Sequence, residues 1–244
     1  MTPSNQIDSP YLRLQRELGE MISKAQPGER LPTEPELAVL MGVSRSTLRE
    51  AMRSFETQGK LIRRQGAGTF IADTTRVFEA GLEVLESLET IANRMGLEIS
   101  MGGLTIEKIK ADGYLSSIFT IPENTELMSV SRVIYVKGQP AAYLCDIFEG
   151  DTLTSLELNN GFTGSVLDLL IQKGNPALEQ SRTEIKVIPA PPQVARALDI
   201  QRGEGLLMFE ADLVARDGQV IDHSYSYFLP GYFRFHVVRK IGIK

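Results

Sequence analysis

The hydrophobic residues of the first 60 positions are spaced for helices. From Tyr11 to Lys24 they recur at intervals of three and four, which predicts one amphipathic helix with a single buried stripe. A shorter helix is predicted over Glu34–Met41, where Thr33 and Glu36 have the spacing of a capping box. Gly42 suits the left-handed position that ends such a helix.

A third helix is predicted directly after Ser44, a good N-cap residue. Leu48, Met52 and Phe55 form its inner stripe, so its arginines fall on the outer side. Two helices joined by a four-residue turn predict a helix-turn-helix.

Two short β-like stretches follow, Leu61–Arg63 and Thr69–Ile71. The five residues between them include Gly66 and Gly68, so the pair predicts a hairpin whose tip can approach another molecule closely. A hairpin directly after the last helix of a helix-turn-helix is a wing.

The rest of the chain alternates strand patterns with turn signals and a few helix patterns. Antiparallel strands with few helices predict an α+β domain. The predicted strands are Thr105–Lys110, Leu127–Val136, Ala141–Glu149, Glu179–Ile188, Leu206–Ala215, Val220–Phe228 and Phe233–Arg239, with short helices at Asp112–Phe119, Ser165–Gln172 and Pro192–Leu198.

These patterns predict two domains, 1–72 and 98–244, joined by a connecting segment over residues 73–97. Leucine or isoleucine recurs every three residues between Leu82 and Ile91, so part of the connection is expected to be helical.

Charge is distributed unevenly over the 244 residues. The whole chain has a net charge of -5, yet residues 1–75 total +1. Ser44–Arg64 contains six basic and two acidic side chains. A local basic stretch in an acidic protein is typical of a nucleic-acid contact.

Residue counts exclude several other classes of site. Cys145 is the single cysteine, so no intrachain disulfide or thiolate metal cluster can form, and the two histidines are too few for a His-rich metal site. We therefore expect no metal or other cofactor. The polar first ten residues and the absence of a long apolar run predict no membrane association and a cytoplasmic location.

The third helix and the wing supply chemistry suited to duplex DNA. Arginine donates two hydrogen bonds to guanine in the major groove, and hydroxyls and first-turn amides suit phosphate oxygens. The residues predicted to contact DNA are Thr33, Ser44, Arg45, Ser46, Thr47, Arg49, Arg63, Arg64 and Gly66.

Three stretches closely resemble the winged helix-turn-helix of GntR-family bacterial transcription regulators: Leu31–Ala38, Gly42–Ala51 and Gly66–Ile71. The resemblance covers about residues 10–72. It implies that Arg45, Ser46, Thr47 and Arg49 meet the operator, and that Gly66 lets the wing tip enter the minor groove.

A second resemblance, to the ligand-binding domain of the HutC subfamily, covers about residues 98–240. It rests on Ser131–Val133, Gly138–Ala141, Thr183–Ile185, Asp217–Ile221 and Ser224–Tyr227. That domain, called UTRA, is similar in fold to chorismate lyase and implies an antiparallel sheet enclosing a small-molecule pocket. The other effector domain of the family is a helical bundle with metal-binding histidines. The β-rich sequence pattern and the presence of only two histidines argue against it.

The UTRA resemblance implies that Arg132 anchors an anionic or hydroxylated effector, since its planar guanidinium matches carboxylate or phosphate. Glu184 would accept protons from hydroxyls or amines, and Tyr225 with Tyr227 would line the wall. His223 beside Asp222 is not expected to be a catalytic pair, because adjacent strand residues face opposite ways.

The sequence thus predicts a ligand-responsive DNA-binding repressor that is not an enzyme and acts as a homodimer on a pseudo-palindromic operator. Two alternatives stay open at this point. One is an enzyme with lyase-like chemistry in the C-terminal domain, and the other is a constitutive DNA-binding protein whose second domain only dimerises.

Overall fold

The computed structural model of the protein describes residues 10–57, 59–64, 66–72, 78–153, 158, 162 and 164–239. The chain divides into two compact units. The first comprises Met1–Val77 with Pro230–Tyr232, and the second comprises Phe78–Leu229 with Phe233–Lys244.

The described residues of the first unit form three helices and a two-stranded hairpin, as predicted. Its elements are α1 (Pro10–Lys24), α2 (Glu34–Leu40), α3 (Arg45–Thr57), β1 (Leu61–Arg64) and β2 (Gly68–Ile71). Strands β1 and β2 pair antiparallel, with Leu61 opposite Ile71. The apolar stripes of all three helices and the hairpin meet in one core, which leaves the basic side of α3 in solvent.

The second unit is built on a six-stranded sheet with the order β4-β5-β6-β9-β8-β7, in which every pair of neighbours is antiparallel. Its strands are β4 (Ile99–Lys110), β5 (Glu126–Val136), β6 (Gln139–Glu149), β7 (Leu178–Pro189), β8 (Gly205–Ala215) and β9 (Val220–Phe228).

Helices cover parts of both faces of this sheet. They are α4 (Leu88–Met95), α5 (Gly113–Phe119), α6 (Val166–Lys173) and α7 (Pro192–Ala197). Leu88 of α4 and Val166 of α6 pack on one face, whereas Leu115 and Phe119 of α5 pack on the other. Because strand side chains alternate, the two faces present different residues of each strand.

The predicted connecting segment differs most from the structure. Residues 78–97 belong to the second unit, where β3 (Phe78–Gly81) pairs in parallel with β10 (Phe233–His236). Helix α4 starts only at Leu88, and Leu82 and Leu85 are exposed. The pairing of β3 with a strand about 155 residues away is invisible to local periodicity. Residues 73–77 of the segment, like 1–9 and 240–244 of the predicted domains, lie outside the described residues.

None of the helices in the described part of the chain is both long and apolar enough to cross a membrane.

Candidate DNA-binding surface and effector cavity

The start of α3 is a cluster of hydroxyl groups in solvent. The Ser44 hydroxyl accepts a hydrogen bond from the Thr47 amide at 3.2 Å, which caps the helix as predicted. The same oxygen lies 2.8 Å from the hydroxyls of Ser46 and Thr47. Ser46 and its neighbour Arg45 are exposed. This helix end therefore presents hydroxyl groups and a cation together.

Arg49 lies one turn further along α3, and its side chain is 58% exposed. Its Nε donates to Oε2 of Glu34, the first residue of α2, at 2.7 Å. One edge of the guanidinium is thus held by the preceding helix. This contact orients Arg49 on the same exposed surface as Arg45.

Arg63 on β1 is placed differently from the sequence prediction. It pairs with Glu34 and lies 4.0 Å from Glu56, and only 15% of its side chain is exposed. A phosphate contact would require Arg63 to leave two carboxylates that already neutralise it. Its position instead indicates a role in joining the wing to α2 and α3.

The wing tip retains the features expected of a DNA contact. Gly66 is exposed with a φ of 75°, and a Cβ added there would meet nothing within 4 Å. Glycine is favoured there because that backbone conformation is strained for other residues. Arg64, beside the tip, is half-buried. Thr33 is exposed, and its amide and hydroxyl both donate to Glu36 at 2.8 Å in the predicted capping box.

The second unit contains a cavity of about 710 Å³ over one face of the sheet, bordered by β3, α4, β10 and the start of α6. A volume of this size accommodates a metabolite-sized ligand. Hydroxyl side chains line much of it, namely Ser87, Ser165, Ser181, Thr183, Ser224 and Ser226. Phe209, Phe228 and Phe235 form an aromatic wall at one end, with ring centroids 4.6 to 5.1 Å apart.

Arg132 lines this cavity from β5, as the UTRA resemblance implies, but its own side chain is occupied. It is 4% exposed, donates to Asp146 and to the carbonyl of Gly164, and its guanidinium lies 5.8 Å from the centroid of the Phe162 ring. Asp146 already balances the positive charge. Arg132 is therefore a neutralised part of the cavity wall.

Asp222 is a buried carboxyl in the same cavity wall. It is 5% exposed, and its Oδ1 has no hydrogen-bond partner among the described residues. Burial raises the pKa of Asp222 well above its ordinary value, and the charge of Asp146 raises it further, although Arg132 and the Ile147 amide oppose the shift. A buried carboxyl oxygen without a partner in a cavity wall marks a candidate contact for a ligand.

Glu89 and Asp168 lie at the N-termini of two helices that border the cavity. Asp168 in α6 accepts from the Ser87 hydroxyl at 2.6 Å, and its amide donates to Ser165 at 2.9 Å. Glu89, in the first turn of α4, has an Oε1 without a partner among the described residues. Burial raises the pKa of Glu89.

The other three predicted effector residues do not share this cavity. On β9 the cavity is lined by Asp222, Ser224, Ser226 and Phe228, so Tyr225 and Tyr227 point to the opposite face.

Glu210 of β8 lies between Glu184 of β7 and Tyr225 of β9 in the sheet register, so all three side chains are on the same face. Glu184 also pairs with Lys186 at 3.0 Å. The prediction that Glu184, Tyr225 and Tyr227 enclose a ligand together with Arg132 is therefore not supported by their placement. The physical reason is that side chains alternate between the two faces of a strand: Arg132 and Asp222 lie on the cavity face, and the other three residues lie on the opposite face.

Sequence reasoning missed Asp222, Asp146 and Glu89. The pattern Asp222-x-Ser224-x-Ser226 puts polar groups at every second position of a strand, which could have indicated a polar cavity. The rejection of an Asp222–His223 catalytic pair agrees with the structure. His223 faces the other side, where Nδ1 lies 2.7 Å from Oδ1 of Asp212.

Comparison with known families matches both units of the chain. Residues 10–71 match the model "Bacterial regulatory proteins, gntR family", and residues 94–234 match the UTRA domain. The first match covers the helices and the wing. The second covers α4's end, the whole six-stranded sheet and the start of β10.

Several curated relatives align over most of the chain. The mannosyl-D-glycerate transport/metabolism system repressor MngR of Escherichia coli is 25% identical, with 93% of this chain and 95% of the relative covered. The repressor NagR of Bacillus subtilis is 23% identical over 88% of each chain. The histidine utilization repressor of Pseudomonas putida is 27% identical, covering 81% of this chain and 79% of the relative.

Solved structures show the same fold. PhnF from Mycobacterium smegmatis aligns with a TM-score of 0.63 at 19% identity, over 94% of this chain and 100% of that one. Its effector domain alone aligns with a TM-score of 0.60 at 14% identity, over 67% of this chain and 99% of that domain.

A basic winged helix-turn-helix followed by a domain with a polar cavity defines a ligand-responsive, DNA-binding transcription regulator, not an enzyme. Within that class, the chain belongs to the GntR family and to its HutC subfamily, whose effector domain is UTRA. Regulators of this kind bind operator DNA and small-molecule effectors.

Proposed function

We propose that this protein is a repressor that binds a pseudo-palindromic operator as a homodimer and is released when a small hydroxylated metabolite occupies the UTRA cavity. The observation that carries the proposal is the cavity of about 710 Å³, whose wall combines hydroxyl groups with the buried Asp222, whose Oδ1 has no hydrogen-bond partner among the described residues. A purely structural domain gains nothing from an unsatisfied buried carboxyl, which costs stability.

The DNA contacts are assigned to the exposed start of α3 and to the wing tip. Arg45 and Arg49 would read base edges in the major groove, and the hydroxyls of Ser44, Ser46 and Thr47 would bind phosphate. Gly66 would let the wing backbone approach the minor groove, with Arg64 on the neighbouring phosphates. Arg63 is assigned to supporting the wing because of its ion pairs.

The effector contacts are assigned to the cavity face of the sheet. The hydroxyls of Ser224 and Ser226 lie on β9 beside Asp222, and each can donate to or accept from a ligand hydroxyl. The aromatic wall of Phe209, Phe228 and Phe235 suits the apolar side of a ring or chain. An anionic effector is less well matched, because Asp146 already neutralises Arg132.

Release requires that the effector prefers the DNA-free arrangement of the dimer. By linkage, operator DNA then weakens effector binding by the same factor as the effector weakens DNA binding. A dimer that reads two half-sites is sensitive to small changes in their spacing, which the effector domain would control.

The proposal is tested with an operator selected from a randomised oligonucleotide pool and labelled for fluorescence anisotropy. Small-molecule extracts of the source organism are then added to the wild-type complex and to an Ala211→Phe variant. Ala211 lines the cavity from β8, so the larger side chain should fill it.

We expect an extract to release wild-type protein and to leave the variant bound. Release of both proteins would place the effector outside the cavity, and release of neither would indicate a constitutive DNA-binding protein. Analytical ultracentrifugation of the free protein and the complex should show two chains per operator.

A further inference from the structure

The cavity wall is strongly acidic. Among the described residues that line it, Arg132 is the single cation, against six carboxyl groups: Glu83, Glu86, Glu89, Asp146, Glu179 and Asp222. Arg132 is committed to Asp146, and Glu86 pairs with Arg94. Glu83 accepts from the Val238 amide. The remaining carboxyls exceed the cations available to them.

Two of the remaining carboxyls have an oxygen buried and without a hydrogen-bond partner among the described residues, Oδ1 of Asp222 and Oε1 of Glu89. Asp222 is more than nine-tenths buried in the sheet, whereas Glu89 approaches from helix α4. Both carboxyls line the same cavity, and Arg132 and Asp146 act electrostatically on each of them.

Positive helix N-termini, which favour anions in many proteins, are already compensated here. Asp168 occupies the first turn of α6 and accepts a hydrogen bond from the Ser87 hydroxyl. Glu89 occupies the first turn of α4. An incoming anion would therefore meet carboxylates at both helix ends and a guanidinium that is already neutralised.

We infer that the effector is an organic cation, a hydroxyl-bearing molecule with a protonated amine that binds between Asp222 and Glu89. This inference rests on the proposed function, since it names the ligand class of the same cavity. The amine N–H groups supply the missing partners of Asp222 Oδ1 and Glu89 Oε1, and the hydroxyls of the ligand bind Ser224 and Ser226.

A neutral or anionic ligand of the same size fits the charges less well. A neutral polyol can satisfy one carboxyl oxygen by hydrogen bonding but leaves the excess negative charge in place. An anion adds to that charge, and like charges in a cavity partly shielded from water repel each other. Charge complementarity thus selects the amine from otherwise similar metabolites.

The test uses the full-length protein and defined amines, each compared with its N-acetyl derivative, which has a similar shape and no charge. The panel contains the hydroxylated amines glucosamine, galactosamine and mannosamine, their neutral N-acetyl forms, and glucuronate and gluconate as anions. Binding is measured by the shift in Tm and by calorimetry, and release by anisotropy of the labelled operator.

We expect at least one amine to raise Tm and release the operator, and its N-acetyl form to do neither. Asp222→Asn should lower the affinity for that amine by about tenfold to a hundredfold, the range for the loss of a charge-assisted hydrogen bond. Glu184→Gln removes the same charge from the opposite face of the sheet and should bind the amine like wild type.

The inference is overturned if no amine binds, if an anion or an N-acetyl form binds as tightly as its amine, or if Asp222→Asn binds the amine normally. These failures differ from a failure of the proposed function. If a neutral or anionic compound releases wild-type protein and Ala211→Phe blocks that release, the cavity is still the effector site and only the ligand class is wrong.

Discussion

Glu34 of α2 accepts a hydrogen bond from Nε of Arg49, on the recognition helix α3, at a distance of 2.7 Å. The same carboxylate also pairs with Arg63 of the wing. One acidic side chain therefore holds two arginines that the sequence assigned to DNA. We expect DNA phosphates to compete with Glu34 for Arg49, the exposed arginine of the two, so Glu34 would limit how strongly the surface attracts DNA of any sequence.

Glu34→Gln should therefore strengthen binding to random DNA more than binding to the operator. The slope of log affinity against log salt should steepen by about one phosphate contact. Glu17→Gln, which loses the same charge from the exposed side of α1, is the control. Unchanged affinity for random DNA in Glu34→Gln would show that Glu34 does not compete with phosphate.

Arg49→Ala should remove most of the discrimination between the selected operator and a scrambled sequence. The loss should be about 1–3 kcal/mol, the range for a bidentate contact with a base. Arg13→Ala, a change of equal charge on α1, should leave the ratio of the two affinities unchanged. The two affinities are measured by anisotropy at fixed salt, and an equal loss on both sequences would argue against base reading by Arg49.

Arg63 and Arg64 should behave differently although they are neighbours on β1. Arg63→Ala removes one of the two arginines that pair with Glu34 and a cation 4.0 Å from the buried Glu56, so it should cost about 1–3 kcal/mol of unfolding free energy. Arg64→Ala should instead reduce the salt dependence of DNA binding by about one contact. Urea unfolding and salt titrations separate the two effects. If Arg63→Ala is as stable as wild type and has a smaller salt dependence of DNA binding, Arg63 contacts DNA and the structural role is wrong.

Asp222→Asn should stabilise the effector-free protein at neutral pH. Burial raises the pKa of Asp222 in the folded state, so its contribution to stability is present in full below the unfolded pKa of about 3.9 and is lost as pH rises through the folded pKa. The variant should therefore have a higher Tm than wild type at pH 8, with a difference that shrinks towards pH 4. A difference that is constant over this range would mean that ionisation of Asp222 is not its source.

The organisation of the first unit followed from the sequence because its determinants are local. The apolar stripes of the helices, the cap at Ser44, the box at Thr33 and Glu36 and the glycine at the wing tip each involve residues a few positions apart. Strand patterns likewise predicted most strands of the second unit, because the pattern belongs to each strand by itself and the β5–β6 and β8–β9 pairs are hairpins with short turns.

The functional surfaces depended on contacts between distant segments. Local patterns could not show that Glu34 pairs with Arg63 or that β3 pairs with β10. They also could not show that Asp222, and not Tyr225, is on the cavity face of β9. A one-residue change of register reverses the face of every strand side chain, so the ligand-facing set is decided only when the sheet packs against α4 and α6. The sequence alone therefore determined the class of regulator and its helix-turn-helix, whereas the tertiary structure decided which charges remain uncompensated around the cavity.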